Sequence, residues 1–293
     1  MGVCDNLTRN RPDFVFNIAE GSGVTRGRES QVPAVLESLN IPYSGSDPVA
    51  LAVTLDKWLT HHILSAGNVA VPSLYMFSTE EDLRHGNRIF QEHGEYIVKP
   101  RWEGSSKGVF PDSVVSDCKN LAHKVRRIWR RYRQPALVEE FLPGEEITVG
   151  LVGNRVPRVI GMMAIDPVAV NGRKLYSIEH KRNWEEDVLY KNPESLDGDI
   201  RRAAAIEAAH AFGVLELRDV ARVDFRVDEK GIPRVIDVNP LPGLSESYSD
   251  LPILYRMNGG NIRDLVGSIL AEAFGRYGWV SPRRLRVKHF HAV

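Results

Sequence analysis

The chain has 293 residues, 43% hydrophobic and 26% charged, with 38 Lys plus Arg against 38 Asp plus Glu. This is an ordinary globular composition whose length suits two or three packed lobes, and zero formal net charge offers no basic excess for nucleic acid. No stretch reaches membrane-spanning length, no charged-then-apolar signal opens the chain, and Cys4 and Cys118 form neither a disulfide framework nor a metal spacing, so a cytoplasmic protein with no membrane partner is expected.

In chain order, Met1 to Arg11 reads as a helix of irregular polarity and Phe14 to Ile18 as a buried-type strand. Val32, Val35, Leu36 and Leu39 have helical spacing, Ile41 to Tyr43 is a short strand, and one helix is expected from about Pro48 to Ser65. These make a shortened α/β lobe, residues 1–65. Apart from Asn17, the Phe14–Ile18 strand is apolar and should be central, so one side of it needs a neighbour: a second copy in a homodimer, another partner, or residues upstream.

After a linker at Ala66 to Pro72, a second lobe (66–138) takes in Tyr75 to Phe77, a helix from Thr79 to His93, strand Tyr96 to Pro100 and a basic helix from Cys118 to Tyr132. A third (139–293) begins within the strand Ala136 to Leu142. It contains antiparallel strands at Ile147 to Val152 and Arg158 to Ile165, then a polar, loop-rich stretch from Asp166 to Asn192. A helix from Asp199 to Phe212 stops at Gly213, and the last helix covers Ile262 to Tyr277. The basic tail from Arg283 to His289 reads as a solvated terminus.

Two strands near the C-terminus carry the chemistry. In Val220-Ala-Arg-Val-Asp-Phe-Arg-Val-Asp228, residues two apart share a face, so Arg222 and Asp224 project together. Asp237 and Asn239 do the same in Pro233-Arg-Val-Ile-Asp-Val-Asn-Pro-Leu-Pro-Gly243. If the hairpin turn centres on Lys230 and Gly231, Asp224 faces Asp237 and Arg222 faces Asn239. Hard oxygen ligands at this density suit Mg²⁺ shared with nucleotide phosphates. Upstream, Lys99 ends an apolar strand before Glu103-Gly-Ser-Ser-Lys-Gly108, a loop whose N–H groups and hydroxyls suit phosphate oxygens. It is not a P-loop, because no Gly-Lys-Ser/Thr opens a helix. Val138-Glu-Glu-Phe-Leu-Pro-Gly-Glu-Glu146 can offer backbone groups to an adenine edge, with Glu139 or Glu146 accepting from the amine or ribose.

The order Asp56-Lys57, Tyr96-Ile-Val-Lys-Pro100, Val138 to Glu146, Glu179-His-Lys181, Arg222-Val-Asp-Phe225 and Asp237-Val-Asn-Pro-Leu-Pro-Gly243 resembles the ATP-grasp superfamily, and within it the D-alanine–D-alanine ligase family. Asn17-Ile-Ala-Glu-Gly21, Ile41-Pro-Tyr-Ser-Gly-Ser46 and Ser249-Asp-Leu-Pro252 also look like that group. The resemblance implies two α+β lobes clamping ATP, and a ligase that joins amino-acid or peptide substrates through an acyl phosphate. Lys57, Lys99 and Lys181 match phosphate-holding lysines, with Ser106 beside the phosphates. Glu139, Glu140, Phe141 and Leu142 match the adenine hinge, and Glu146 matches the ribose contact. Asp224, Asp237 and Asn239 match the ligands of two Mg²⁺, with Mn²⁺ as a substitute. Arg222 and the Gly243 backbone match the pair that steadies the tetrahedral intermediate, with Ser105 and Lys181 among the catalytic groups. Ser249 matches the serine that receives the acceptor carboxylate, given one inserted residue.

The chain departs from the family's pattern at the first substrate. The family's first strands and their glutamate are absent before Met1, its Gly-Glu-Asp-Gly reads Gly27-Arg28-Glu29-Ser30, and a tyrosine expected after Lys181 is Arg182. The donor end, with Arg28, Glu29 and Arg182, is therefore expected to be altered or incomplete. The alternative reading is a nucleotide-binding ATP-grasp protein without autonomous turnover, regulatory or partner-dependent.

Overall fold

The computed structural model describes residues 3–91, 94–169, 172, 174–177, 179–180 and 184–280. The chain begins with α1 (Val3–Arg9) and α2 (Gln31–Ser38). The helix expected from Pro48 is two helices, α3 (Pro48–Leu55) and α4 (Lys57–Ala66). Asp56 between them is extended, at φ −91° and ψ 93°, and its carboxylate caps α4 by accepting from the Leu59 N–H. A side chain that hydrogen-bonds the following turn ends one helix and starts the next. Arg101 then donates to both oxygens of this fully buried carboxylate at 2.7 Å, and Trp102 Nε1 at 3.2 Å.

Phe14 to Ile18 is not a sheet strand. It makes a single parallel bridge, Val15 to Tyr43, in which Val15 N–H donates to Pro42 O and Ser44 N–H to Val15 O. Part of its apolar surface is covered from within the chain, while Ile18 is 65% exposed. Phe14 stands edge-on to Phe274 at 4.9 Å between centroids, and Phe16 packs on the core around Leu251 and Leu265. Residues of the two helices near the C-terminus thus pack on Phe14 and Phe16.

The first sheet is antiparallel, in the order β1-β4-β2-β3, from β1 (Leu74–Phe77), β2 (Tyr96–Pro100), β3 (Val114–Val115) and β4 (Ala136–Glu140). β4 continues two residues past the expected lobe boundary at 138. The helix expected from Thr79 to His93 is only α5 (Glu80–Arg84), followed by 3-10 turns over Gly86–Gln91, since Gly86 and Asn87 are poor helix formers. α6 (Cys118–Tyr132) is capped by Asp117, and Leu121, Val125 and Ile128 bury its apolar stripe on one face of the sheet. Ile97, Lys99 and Glu139 point from the other face.

The second sheet runs β7-β6-β5-β8-β9, also antiparallel: β5 (Glu146–Gly153), β6 (Arg158–Pro167), β7 (Val188–Lys191), β8 (Asp219–Val227) and β9 (Pro233–Asn239). α7 (Trp184–Asp187) and β7 lie in the stretch read as loop; β7 is a four-residue edge strand, too short to show a period. α8 (Gly198–Val214) lays Ala204, Ala208, Ala211 and Phe212 against Ala221, Val223, Phe225 and Val227. It runs through Gly213; the left-handed position that ends it is Glu216, at φ +53°. α9 (Asp250–Met257), foreseen only as a short motif, and α10 (Ile262–Arg276) cover the far end of the opposite face. Pro252 is tolerated in the first turn of α9, where a backbone donor has no helical partner. The two antiparallel sheets with their helices form the ATP-grasp fold expected from the sequence. Among the described residues, no helix is long and apolar enough to cross a membrane.

Candidate active site

A solvent-open cleft of roughly 1410 Å³ lies between the sheets, lined by both of them, by the start of α4 and by the loop after β2. Its floor is the β8–β9 hairpin, where Asp224 pairs with Asp237 and Arg222 with Asn239, as the spacing predicts. The route to that register differs from the expected one. Val227 pairs with Pro233 and Phe225 with Val235, so the turn centres on Lys230 alone, and a bulge at Ile236 shifts the register by one residue before Asp237. Asp228 Oδ1 accepts from Lys230 and Ile232 N–H, and Gly231 takes the left-handed conformation the turn needs, at φ +78°.

Val223 and Phe225 go into the core under α8, so Arg222, Asp224 and Arg226 face the cleft. Arg222 Nε and Nη2 donate to Asp224 at 2.9 and 2.8 Å, and Nη1 lies 2.9 Å from Asp250 Oδ2. Burial opposes the charge on Arg222, but Asp224 and Asp250 outweigh it and hold the guanidinium above its ordinary pKa. Thr148 Oγ1 also donates to Asp224, at 3.0 Å. Lys57 Nζ, projecting from the first turn of α4, lies 2.5 Å from Asp237 Oδ1. Burial works to raise the Asp237 carboxyl, yet Lys57 wins and its pKa is lowered.

Asp224, Asp237 and Asn239 present hard oxygens on one face, the donor chemistry that Mg²⁺ takes. Each carboxylate has a cation against it, Arg222 on Asp224 and Lys57 on Asp237, so the face balances positive charge. Among the described residues, no group of three or more His, Cys, Asp or Glu forms a metal cage. A divalent ion here would therefore draw further ligands from phosphate, as Mg²⁺ commonly does. The residues fit that ion.

Lys99 reaches from the first sheet to the second. Its Nζ donates to Glu139 at 2.7 Å and to the Ile236 carbonyl, exposed by the bulge, at 3.4 Å. Glu139 is thus already paired with a cation, and Glu140 accepts from the Ser73 N–H. Phe141, Leu142 and Glu146 line the same wall. Arg226 fastens that wall: it donates to Leu142 O at 2.8 Å and Lys174 O at 3.0 Å, pairs with Glu146 at 3.3 Å, and lies 4.8 Å from the Phe141 ring centroid.

Ser105 and Ser106 both line the cleft in left-handed backbone, φ +52° and +56°, which costs L-residues about 1–2 kcal/mol each. Ser106 Oγ donates to Tyr176 O at 3.1 Å, so the loop after β2 meets the strap that crosses from β6 to β7. Arg28 lines the first-lobe end, where its guanidinium donates to Trp102 O at 2.9 Å and pairs with Glu103 at 3.8 Å. Beside it, burial pushes the Glu29 carboxyl up to about 7, with Glu20 and Asp237 adding to the rise. Gly243 and Ser249 stand side by side: a Cβ on Gly243 would lie 2.6 Å from Ser249 Oγ, so a larger residue there would require the Ser249 side chain to shift. Lys181 and Arg182 lie outside the described residues.

Glu20, Thr148, Tyr176, Arg226 and Asp250 also line the cleft and were assigned no role from the sequence. Arg226 was recoverable, since it continues the alternation of Arg222 and Asp224. Asp250 follows Ser249 directly but carries no pattern of its own.

Residues 63–271 match the family model described as D-ala D-ala ligase C-terminus. A D-alanine–D-alanine ligase from Moorella thermoacetica is 30% identical over 274 residues, covering 92% of this chain and 84% of its own. An uncharacterised protein, y4sG of Sinorhizobium fredii, is 32% identical over 270 residues, 90% of this chain and 75% of its own. Among solved structures, a D-alanine–D-alanine ligase from Bacillus anthracis complexed with ATP superposes with a TM-score of 0.75 at 23% identity, covering 95% of this chain and 85% of that one. The chain belongs to the D-alanine–D-alanine ligase family, with residues 63–271 as its match to that family's ATP-grasp C-terminal region.

Proposed function

We propose that this protein is an ADP-forming carboxylate–amine ligase that joins amino-acid or peptide substrates through an acyl phosphate. One observation carries the reading. Arg222, Asp224, Asp237 and Asn239 share one face of the hairpin, and Lys57 and Lys99 approach that face from two other elements.

A carboxylate is a poor acyl donor; phosphorylating it creates a good leaving group, which an amine then displaces. Lys57 and Lys99, with Lys181, hold the phosphates of ATP. The strand from Glu139 to Leu142 offers its backbone to adenine, and Glu146 reaches the ribose. Mg²⁺ held by Asp224, Asp237 and Asn239 supplies charge neutralisation for the phosphoryl group. Arg222 and the Gly243 N–H donate to the oxyanion that develops as the amine attacks, and Ser249 takes the acceptor carboxylate. Shielding the acyl phosphate from water falls to the loop of Ser105 and Ser106 and the Tyr176 segment, which touch through Ser106 Oγ.

Arg28 stands where the family pattern has a carboxylate and is fastened to Trp102 and Glu103. That supports a donor other than D-alanine. The test is a coupled ADP-release screen across amino-acid and peptide pairs, with mass detection of products. ADP and phosphate released only when donor and acceptor are both present support ligation. Magnesium–ATP binding with no amine-dependent ADP release across the panel refutes it in favour of a nucleotide-binding role.

A further inference from the structure

Two carboxylates hold Arg222, and only one of them belongs to the hairpin. Asp250 opens α9, 28 residues further along the chain, and is 5% exposed. While its Oδ2 holds Arg222 Nη1, its Oδ1 accepts from Tyr176 OH at 3.2 Å and from Tyr190 OH at 3.5 Å. The two hydroxyls are 3.0 Å apart. The strap, β7, β8 and α9 thus converge on one buried polar network.

A buried guanidinium needs a counter-charge, and Asp224 already supplies one. The second carboxylate therefore calls for a separate reason. Asp224 has other duties: it takes the Thr148 hydroxyl, and it belongs to the oxygen face that fits a divalent ion. Asp250 lies off that face and grips the third nitrogen of the fork. Its helix is anchored by Leu251, Ile253 and Leu254, all buried. The guanidinium plane is thus fixed from two sides, one of them independent of the oxygen face.

We propose that Asp250, steadied by the Tyr176 and Tyr190 hydroxyls, is a positioning residue that holds Arg222 aimed into the cleft. The inference rests on the ligase reading for its catalytic consequence, though not for the contact itself. A planar donor is worth most when preset, because small misplacements of a catalytic group cost large factors in rate.

The experiment compares wild type with Asp250→Asn, Asp250→Glu and Tyr190→Phe. It measures kcat, KM for ATP, and the nitrogen-15 spectrum of the Arg222 guanidinium, assigned with Arg222→Lys. Asp250→Asn is expected to lower kcat about 10–100-fold with KM for ATP within about twofold, and to merge Arg222 Nη signals that are separate in the wild type. Asp250→Glu should recover part of both effects. Tyr190→Phe, a milder change, should move both in the same direction, and it carries the test if Asp250→Asn does not fold. Lost turnover with the Arg222 signals unchanged overturns the proposal, since Asp250 would then act on substrate itself. Merged signals with kcat unchanged overturn it too. If the wild type shows no amine-dependent ADP release, the ligase reading fails separately. The guanidinium spectrum then decides alone: merging supports the Asp250 hold and no change refutes it.

Discussion

Replacing Glu29 by glutamine should stabilise the ligand-free protein at alkaline pH and leave it nearly unchanged at acid pH. Glu29 sits in the 3-10 turn Arg28–Ser30 at the cleft wall, where burial is the main force raising its carboxyl and Arg28 and Lys57 only partly oppose it. A carboxyl raised in the folded state binds its proton more tightly there than in the unfolded chain. Its stabilising contribution is therefore complete below its ordinary value of 4.5 and disappears as pH rises through about 7. Each pKa unit corresponds to about 1.36 kcal/mol, so the ionised side chain costs up to about 3 kcal/mol at pH 8. Glutamine keeps the shape of the neutral acid and avoids that cost. For a chain of this size, about 3 kcal/mol corresponds to a melting-temperature rise of roughly 6 °C. At pH 5 the gain should shrink below about 1 kcal/mol. Thermal unfolding of both proteins at pH 5, 6, 7 and 8 measures this directly. A difference independent of pH, or a less stable variant at pH 8, would refute the assignment of a desolvated carboxyl.

Asp237→Asn should lower magnesium-dependent turnover at least about 100-fold, while the melting temperature stays within a few degrees, because its pair with Lys57 is only partly buried. Full activity in this variant would remove Asp237 from the oxygen face. Lys99→Ala should weaken ATP binding and turnover together by about tenfold or more, and it should also cost stability by leaving Glu139 unpaired in a buried place; calorimetry showing unchanged nucleotide affinity would count against it. Arg222→Lys keeps the charge but loses the fork, so turnover should fall about 100-fold with ATP affinity within about twofold. Equal losses in both quantities would point to a nucleotide-binding arginine.

The hairpin was legible because its signal is local. Alternation along β8 and β9 put Arg222, Asp224, Asp237 and Asn239 on one face whatever the rest of the chain does. Even there the expected turn was one residue off, and the bulge at Ile236 compensated for it. A bulge of this kind has no composition of its own. Its consequence is tertiary: it frees the Ile236 carbonyl, which Lys99 reaches from the other sheet. The break at Asp56 was illegible for a related reason. Asp56 lies in a run of helical spacing, and what holds it in place is Arg101, 45 residues later.

The same distinction separates the two ends of the cleft. Lys57 looks like any solvated helical lysine, and its meaning comes from Asp237, 180 residues away; only the resemblance to a family singled it out. Arg28 and Asp250 are harder still, because there the chain departs from the family's pattern or the pattern assigns no role. Arg28 holds the base of the loop that carries Ser105 and Ser106, and Asp250 holds the arginine next to the oxygen face. Neither residue shares a strand face with the groups it holds, so no period in the sequence connects them. The local pattern therefore marks the groups suited to phosphate and magnesium, while the groups that orient them at the substrate ends appear only once the lobes are packed. Under the proposed ligase reading, those packing-dependent residues are the ones to vary when the acceptor and donor are sought.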